Sequence, residues 1–428
     1  MKKNKLIHIL LTLFIMMISM SCKEDKISFD SSLSLSFSHD TIQFDTVFSQ
    51  ITTPTIRLKV YNRNKQNLSI NTIKIAQGAE SFFKININGQ NRIDQTFQNI
   101  ELAGKDSLYV FIQLTSKENG INTPILIADS IIFNTNGNIQ TLPLRAISQD
   151  VELLKNKTFE EDIVFSNDKP YLIYGDLTIN KNLTIEPGAK LYYHIGSKMI
   201  INGLLRANGT AEQPIVMRSD RTDFIFEGVP YDSLSNQWGG ILFQSPGKHE
   251  LSFVKMRSGT HGIDLWMDTT FIPSISIKNC EIHNFSGYGI ATQNANLTIE
   301  NSIISNCGEN CIRCFGGTIN IENTTIANYY PNNNRKNVAL LIENYFGEKT
   351  HSITNSIIKN SIIAGSWEEE LSLKIKEEFE HNLKFETCTL RTKSDLNNIG
   401  ENCTLFDGIT IQFKNTTRYP YDFTLINQ

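Results

Sequence analysis

The chain carries almost no excess charge of either sign: 40 Lys and Arg stand against 44 Asp and Glu, a net charge of −4. No basic stripe runs along it, so no nucleic-acid partner is expected, because phosphate binding needs clustered cations. Cysteine is scarce and unevenly placed, with none between Cys22 and Cys280. Any core formed before residue 280 is therefore apolar, without disulfide support. The one long apolar run, Leu6 to Ile18, is too short to span a bilayer. No Asp-Asp pair occurs anywhere, and the repeats described next show no helical period.

What the chain does have is a repeat. Asn279-Cys280-Glu281 is echoed by Asn301-Ser302-Ile303 and Asn323-Thr324-Thr325, 22 residues apart each time. Each is preceded by an alternating apolar pair, Ile275/Ile277, Leu297/Ile299 and Ile319/Ile321. The apolar beat resumes one step out of phase at Ile282, Ile304 and Ile326, as a chain does at a corner. Short period-2 strands repeating at this interval predict a coiled β-solenoid. Asn at a tight corner tolerates left-handed φ, and stacked Asn amides would bond from coil to coil.

The first residues read as an export signal over 1–21, with Lys2, Lys3 and Lys5 before the apolar run. Ser19-Met20-Ser21-Cys22 looks like a lipobox, with Ser19 in place of the usual aliphatic residue, which makes Cys22 the lipidation site. Lys23-Glu24-Asp25 resembles the signal that sends lipoproteins of Bacteroidota-type bacteria to the outer face of the outer membrane. Several acyl chains, at ~0.8 kcal/mol per buried methylene, hold a soluble domain at a membrane. Residues 22–35 are polar and Ser-rich, a tether.

Over 36–150 the alternation is clear in Ile56, Leu58 and Val60, in Leu108, Val110 and Ile112, and in Leu142, Leu144 and Ala146. About seven short strands in ~115 residues predict an immunoglobulin-like β-sandwich. Asp40, Asp45, Asp94 and Asp106 sit in or beside turns, where Asp caps backbone groups, and the domain reads as a spacer. Asp45-Thr46-Val47, Asp106-Ser107-Leu108 and Asp129-Ser130-Ile131 also look like O-glycosylation sites of Bacteroidota-type bacteria.

The solenoid is expected over 151–428. Leu183 to Ala189, with the turn Pro187-Gly188, marks its entry. Leu383 to Cys388 matches Leu297 to Ser302 position for position, and at 22 residues per coil ten or eleven coils fit. The arrangement resembles the right-handed parallel β-helix of the pectate-lyase-like superfamily. More narrowly, the chain is similar to a group of β-helix lipoproteins of Bacteroidota-type bacteria. The likeness rests on Asn136 to Gln140, Gln149-Asp150, Leu183 to Ala189, Asp220-Arg221, Gln237 to Ile241 and Thr325 to Tyr330. It implies an all-β fold and a surface location facing the cell exterior. The chain stops at Gln428 without the closing Asp-Ile-Gly-Ala-Tyr-Glu motif such proteins often carry.

Of the six later cysteines, Cys280 and Cys388 hold the repeat position of Ser302 and Thr324 and read as small core residues. Cys307, Cys311 and Cys314 have no nearby fourth ligand. They suit a disulfide, such as Cys307 with Cys311 or Cys314, or buried thiols, better than a metal. No metal and no cofactor is expected.

No catalytic set is recognisable. Polygalacturonase-like hydrolases would show an Asp-Asp pair and Gly-His-Gly, and this chain offers Gly259-Thr260-His261-Gly262. Candidate ligand-binding residues lie in and after the excursion Arg218 to Gln237: Asp220, Arg221, Tyr231, Trp238, Arg257, His261, Asp264 and Trp266. Aromatic rings beside charged or amide groups suit sugars, because the ring covers the C–H face while polar groups bond the hydroxyls. Trp238 has a second reading, as a buried strand-start residue under Gly239-Gly240. The acid run of Trp367 to His381 reads as a solvated face. The leading reading is a surface-anchored, non-enzymatic lipoprotein contacting glycan or an envelope protein. The alternative is a polysaccharide lyase or glycoside hydrolase around Asp220, Arg257, His261 and Asp264.

Overall fold

A computed structural model describes residues 26–226, 228–267, 271–331, 335–394, 396, 398–406, 411–417 and 419–426. The export signal, Cys22, Glu227 and Asp268 lie outside the described residues. The chain forms two compact units, 1–149 and 150–428, and regular structure is almost wholly strand.

In the first unit one sheet runs through Ile27–Ser28, Asn67–Ile75, Ile125–Thr135, Asn138–Gln149 and Ile42–Phe48, with Thr96–Leu102 added on Asn67–Ile75. The second runs through Ser36–Phe37, Ile56–Tyr61, Ser107–Leu114, Phe83–Ile87 and Gln90–Asn91. Leu58, Val60, Val110 and Ile112 share one core with Ile70, Ile73, Phe133 and Leu144. The alternation read from sequence puts Arg57 and Lys59 outside. Asn136 and Gly137 turn the strand with φ 54° and 85°, the left-handed pair that a tight two-residue hairpin requires. Asp106, beside its turn, accepts the next residue's N–H at 2.7 Å; Asp45, expected at a turn, lies within the strand Ile42–Phe48 and accepts the Thr46 N–H at 2.8 Å.

The second unit is the solenoid. One parallel sheet has eleven strands, one from each coil, and a second has seventeen, to which most coils give two strands or a single long one such as Ile290–Glu300. The repeat pairs stack as predicted: Ile275, Leu297 and Ile319 stand in register, as do Ile277, Ile299 and Ile321. Around the corner Ile282, Ile304, Ile326, Ile363 and Leu390 form another file, all fully buried. Each such side chain contributes ~1.5–3 kcal/mol of burial.

The corner is left-handed: φ is 53° at Asn279, 49° at Asn301 and 50° at Asn323, and it continues at Asn360, Thr387 and Asn402. Rung-to-rung bonding there uses the backbone, with Asn279 N–H donating to Glu300 O at 3.0 Å and Asn301 N–H to Glu322 O at 3.1 Å. The Asn301 and Asn323 side chains are exposed, so the corner stacks through peptide groups where an amide ladder was expected. Immediately after it, Ser302 Oγ turns inward, donating to Glu300 O at 2.8 Å and accepting from Cys280 N at 3.0 Å. Cys280 and Cys388 replace that hydroxyl with a buried thiol, Cys280 Sγ reaching Lys278 O at 3.2 Å. The described cysteines carry free thiols.

A second file escaped the sequence reading. Asn284, Asn306 and Asn328, also 22 apart, are all buried. Asn328 Oδ1 accepts Cys307 N–H at 3.1 Å while its Nδ2 donates to Cys307 O at 2.9 Å. The acid run also differs from expectation. Glu370 is fully buried and bidentate to Arg335, which lies over the Trp367 ring, so this run braces one excursion to another. The carboxylate is drawn inside because it satisfies Arg335 and the N–H groups of Trp367 and Ala339 together.

Candidate functional site

The structure distributes the predicted site residues over three places. Asp220 follows the strand Ile215–Ser219 and accepts a 2.7 Å bond from His194 Nδ1, whose ring stacks on Tyr174 at 4.0 Å. Burial pushes the Asp220 carboxyl above its usual range, against the pull of His194. Burial likewise raises Tyr174, with Asp220 adding to it, to about 12.

The second place is the outward face of the eleven-stranded sheet, covered by the excursion after Arg218. Arg221 forms two 2.6 Å bonds to Asp223 and lies 3.6 Å from the Tyr231 ring centre. The next residue, Asp232, is the hub that the sequence reading passed over. Its buried carboxylate accepts from Arg218 Nε at 3.1 Å, Arg257 Nε at 2.6 Å, Ser258 Oγ at 3.1 Å and Tyr419 Oη at 2.6 Å. Burial opposes its ionisation, but the two guanidinium groups outweigh that and hold it below the usual carboxylate range. His283 stands in register with Arg257. Burial, with Arg257 beside it, lowers its imidazole to about 4. Further along this file the outward residues shrink to Ser305, Ala327 and Ala364. Into that space packs the hairpin Phe413–Asn415 and Asp422–Leu425, with Phe413 against Ala327 and Ala364. Arg257 is thus consumed by Asp232, and the cluster fastens two peripheral segments to the sheet.

Trp238 corrects one expectation. It is 1% exposed, stacks on Tyr193 at 4.2 Å and donates Nε1–H to Arg257 O at 2.8 Å. Gly240 has a φ of 96°, and a Cβ there would stand 1.9 Å from His261 O. That close passage of backbones requires glycine two residues after the indole, which lies inside the coil and so faces no ligand.

The third place gathers His261, Asp264 and Trp266 on the seventeen-stranded sheet. Asp264, Ala291, Arg313 and Leu341 stand in register on successive coils. Trp266, half-buried, lies over the Arg313 guanidinium at 4.4 Å and is stacked on Phe315 at 5.8 Å. Phe346, 51% exposed, meets the indole edge-on at 6.1 Å from the hairpin Tyr345–Phe346 and Lys349–Thr350. Arg313 is held by buried Glu343 through Nε at 2.7 Å and Nη2 at 2.6 Å, and its Nη1 donates to Tyr288 Oη at 3.2 Å. His261 stacks on Tyr288 at 5.5 Å. Asp264 Oδ1 takes the Trp266 N–H at 3.1 Å, and burial pushes its carboxyl up while His261 pulls it back. The result is a braced aromatic platform edged by a carboxylate, an imidazole and a phenol. Arg313, Glu343, Tyr288 and Phe346 were not singled out from sequence. The signal that finds Arg313 is register: it sits two rungs from Asp264.

A family model described as a right handed beta helix region matches residues 232–372, a span that includes this platform. No curated protein matches the chain. Among solved structures, a family 123 glycoside hydrolase from Clostridium perfringens, studied for glycolipid glycan hydrolysis, is 9% identical with a TM-score of 0.19. The alignment covers 28% of this chain and 30% of that one, and a likeness of this size bears on neither fold nor activity.

Proposed function

We propose that this chain is a surface-anchored, non-enzymatic β-helix lipoprotein that binds glycan on the Trp266 platform. The observation that carries the reading is the indole laid over Arg313 and Phe315 beside exposed Phe346, with Asp264 and His261 at its edge. A flat ring held from below offers a rigid surface for sugar C–H groups at little ordering cost. In this reading Cys22 is acylated, residues 22–35 are a tether, and the first unit is an immunoglobulin-like spacer on the outer face of an outer membrane of the Bacteroidota type.

The enzyme alternative asks Asp220, Arg257, His261 and Asp264 to work on one substrate. Asp220 is bonded to His194 just after a strand of the eleven-stranded sheet, and Arg257, on another strand of that sheet, is bonded to Asp232, whereas Asp264 belongs to the seventeen-stranded sheet. That distribution favours binding over hydrolysis or elimination, which need their groups within reach of one bond. Calorimetry of the purified protein against a panel of polysaccharides tests the reading: binding is expected, and Trp266→Ala removes it. Absence of binding to every glycan, or full binding by the Ala variant, sinks it. For the anchor, Cys22→Ser is expected to move the protein from the membrane to the soluble fraction.

A further inference from the structure

We propose that the Trp266 platform selects uncharged sugar units and rejects uronic acids; this rests on the glycan-binding reading above. The platform's guanidinium looks at first like a carboxylate receptor. Its charge is already matched, since Nε and Nη2 both donate to Glu343, which is 1% exposed and so exchanges little with solvent. Nη1 is turned to Tyr288, and the flat face of the group supports Trp266. Arg313 therefore works as a brace under the ring, with its cation spent internally.

Beside Arg313, the platform carries Asp264 with His261 next to it, and Glu309 with Lys336. Glu309 lies beside the Tyr288 hydroxyl, whose ionisation it opposes, and is itself approached by Lys336 Nζ at 3.4 Å. With Arg313 cancelled by Glu343 and Lys336 by Glu309, Asp264 is left with the His261 imidazole as its neighbour. Among the described residues its Oδ2 has no hydrogen-bond partner, while Oδ1 holds the Trp266 N–H. An ionised carboxylate only accepts hydrogen bonds. A hexose or pentose stacked on the indole presents hydroxyl donors to it. A uronate presents a second acceptor-only anion, which is repelled and must also shed its water. The chemistry of the rim thus matches neutral polyols and opposes the acidic polymers to which a pectate-lyase-like resemblance would point.

The test is titration calorimetry of the purified, folded chain against neutral gluco-, manno- and xylo-oligosaccharides and against oligogalacturonate and oligomannuronate. Neutral oligomers are expected to bind at least about tenfold more tightly than uronates of equal length. Glu343→Gln, which unmasks the guanidinium, is expected to narrow that ratio by about tenfold. Asp264→Asn, a surface-edge change that keeps the shape, gives a second variant, expected to narrow the ratio as well. Uronates binding as tightly as neutral oligomers in the wild type, with Trp266→Ala abolishing it, overturns the selectivity and leaves glycan binding standing. Failure of both classes to bind overturns the glycan reading and the selectivity with it.

Discussion

Arg257 Nε donates to Asp232 Oδ2 at 2.6 Å, and this bond ties the excursion 220–237 to the sheet beneath it. Arg218 and Tyr419 share the same carboxylate, so one side chain fastens the excursion and the hairpin near the C-terminus together. Removing it leaves two largely buried cations without the anion that matches them. Asp232→Ala is expected to cost about 3–5 kcal/mol in urea unfolding. Tyr419→Phe, which loses one donor to a charged acceptor, is expected to cost about 1.5–3 kcal/mol. Equal stabilities for Asp232→Ala and wild type would remove the hub.

His283 makes the fold sensitive to acid. Its imidazole titrates at about 4 in the folded chain against an ordinary 6.5, because burial and Arg257 oppose the cation. Asp232, Glu281, Lys255, Tyr419 and Tyr421 also face it. Between those values the unfolded chain holds a proton that the folded chain does not. Stability is therefore full above pH 6.5, falls as pH drops, and has lost this contribution near pH 4. The size is on the order of 3 kcal/mol. In His283→Gln the pH slope of unfolding over that window is expected to shrink by about one proton, and an unchanged slope counts against the buried neutral imidazole.

At the corner, Asn301 has φ 49° with an exposed side chain. Asn301→Leu is expected to lower stability by about 1–2 kcal/mol, because Leu lacks the short polar side chain that lets Asn occupy left-handed backbone. Asn301→Gly, which takes that conformation freely, is expected to stay within about 0.5 kcal/mol of wild type. Thermal melts of the two variants check it: equal losses would place the stabilisation in the Asn amide instead.

The acid run holds one carboxylate apart from its neighbours. Glu370→Ala, which strands buried Arg335, is expected to cost about 3–5 kcal/mol. Glu377→Ala and Glu378→Ala, both exposed, are expected to change stability by less than about 0.5 kcal/mol. Chemical denaturation of the three variants separates a brace from a solvated face.

The parts of this protein legible from sequence are those that depend on one coil at a time. Ile275, Leu297 and Ile319 announce a stacked file because each coil repeats the same local pattern, and Asn279, Asn301 and Asn323 mark the corner because few other residues accept left-handed φ. The file of Asn284, Asn306 and Asn328 was equally regular, though hidden among other polar residues. Tertiary structure alone decided where the excursions meet. Asp232 finds Tyr419 across 187 positions, and Trp266 finds Arg313 two rungs away. It also decided between the two readings of Trp238 that the sequence left open, in favour of the core. The physical reason is that each coil adds its own number of residues outside the strands. Register along the solenoid fixes which rungs adjoin, but only the folded path of those extra residues brings a distant carboxylate to a guanidinium or lays an indole over one.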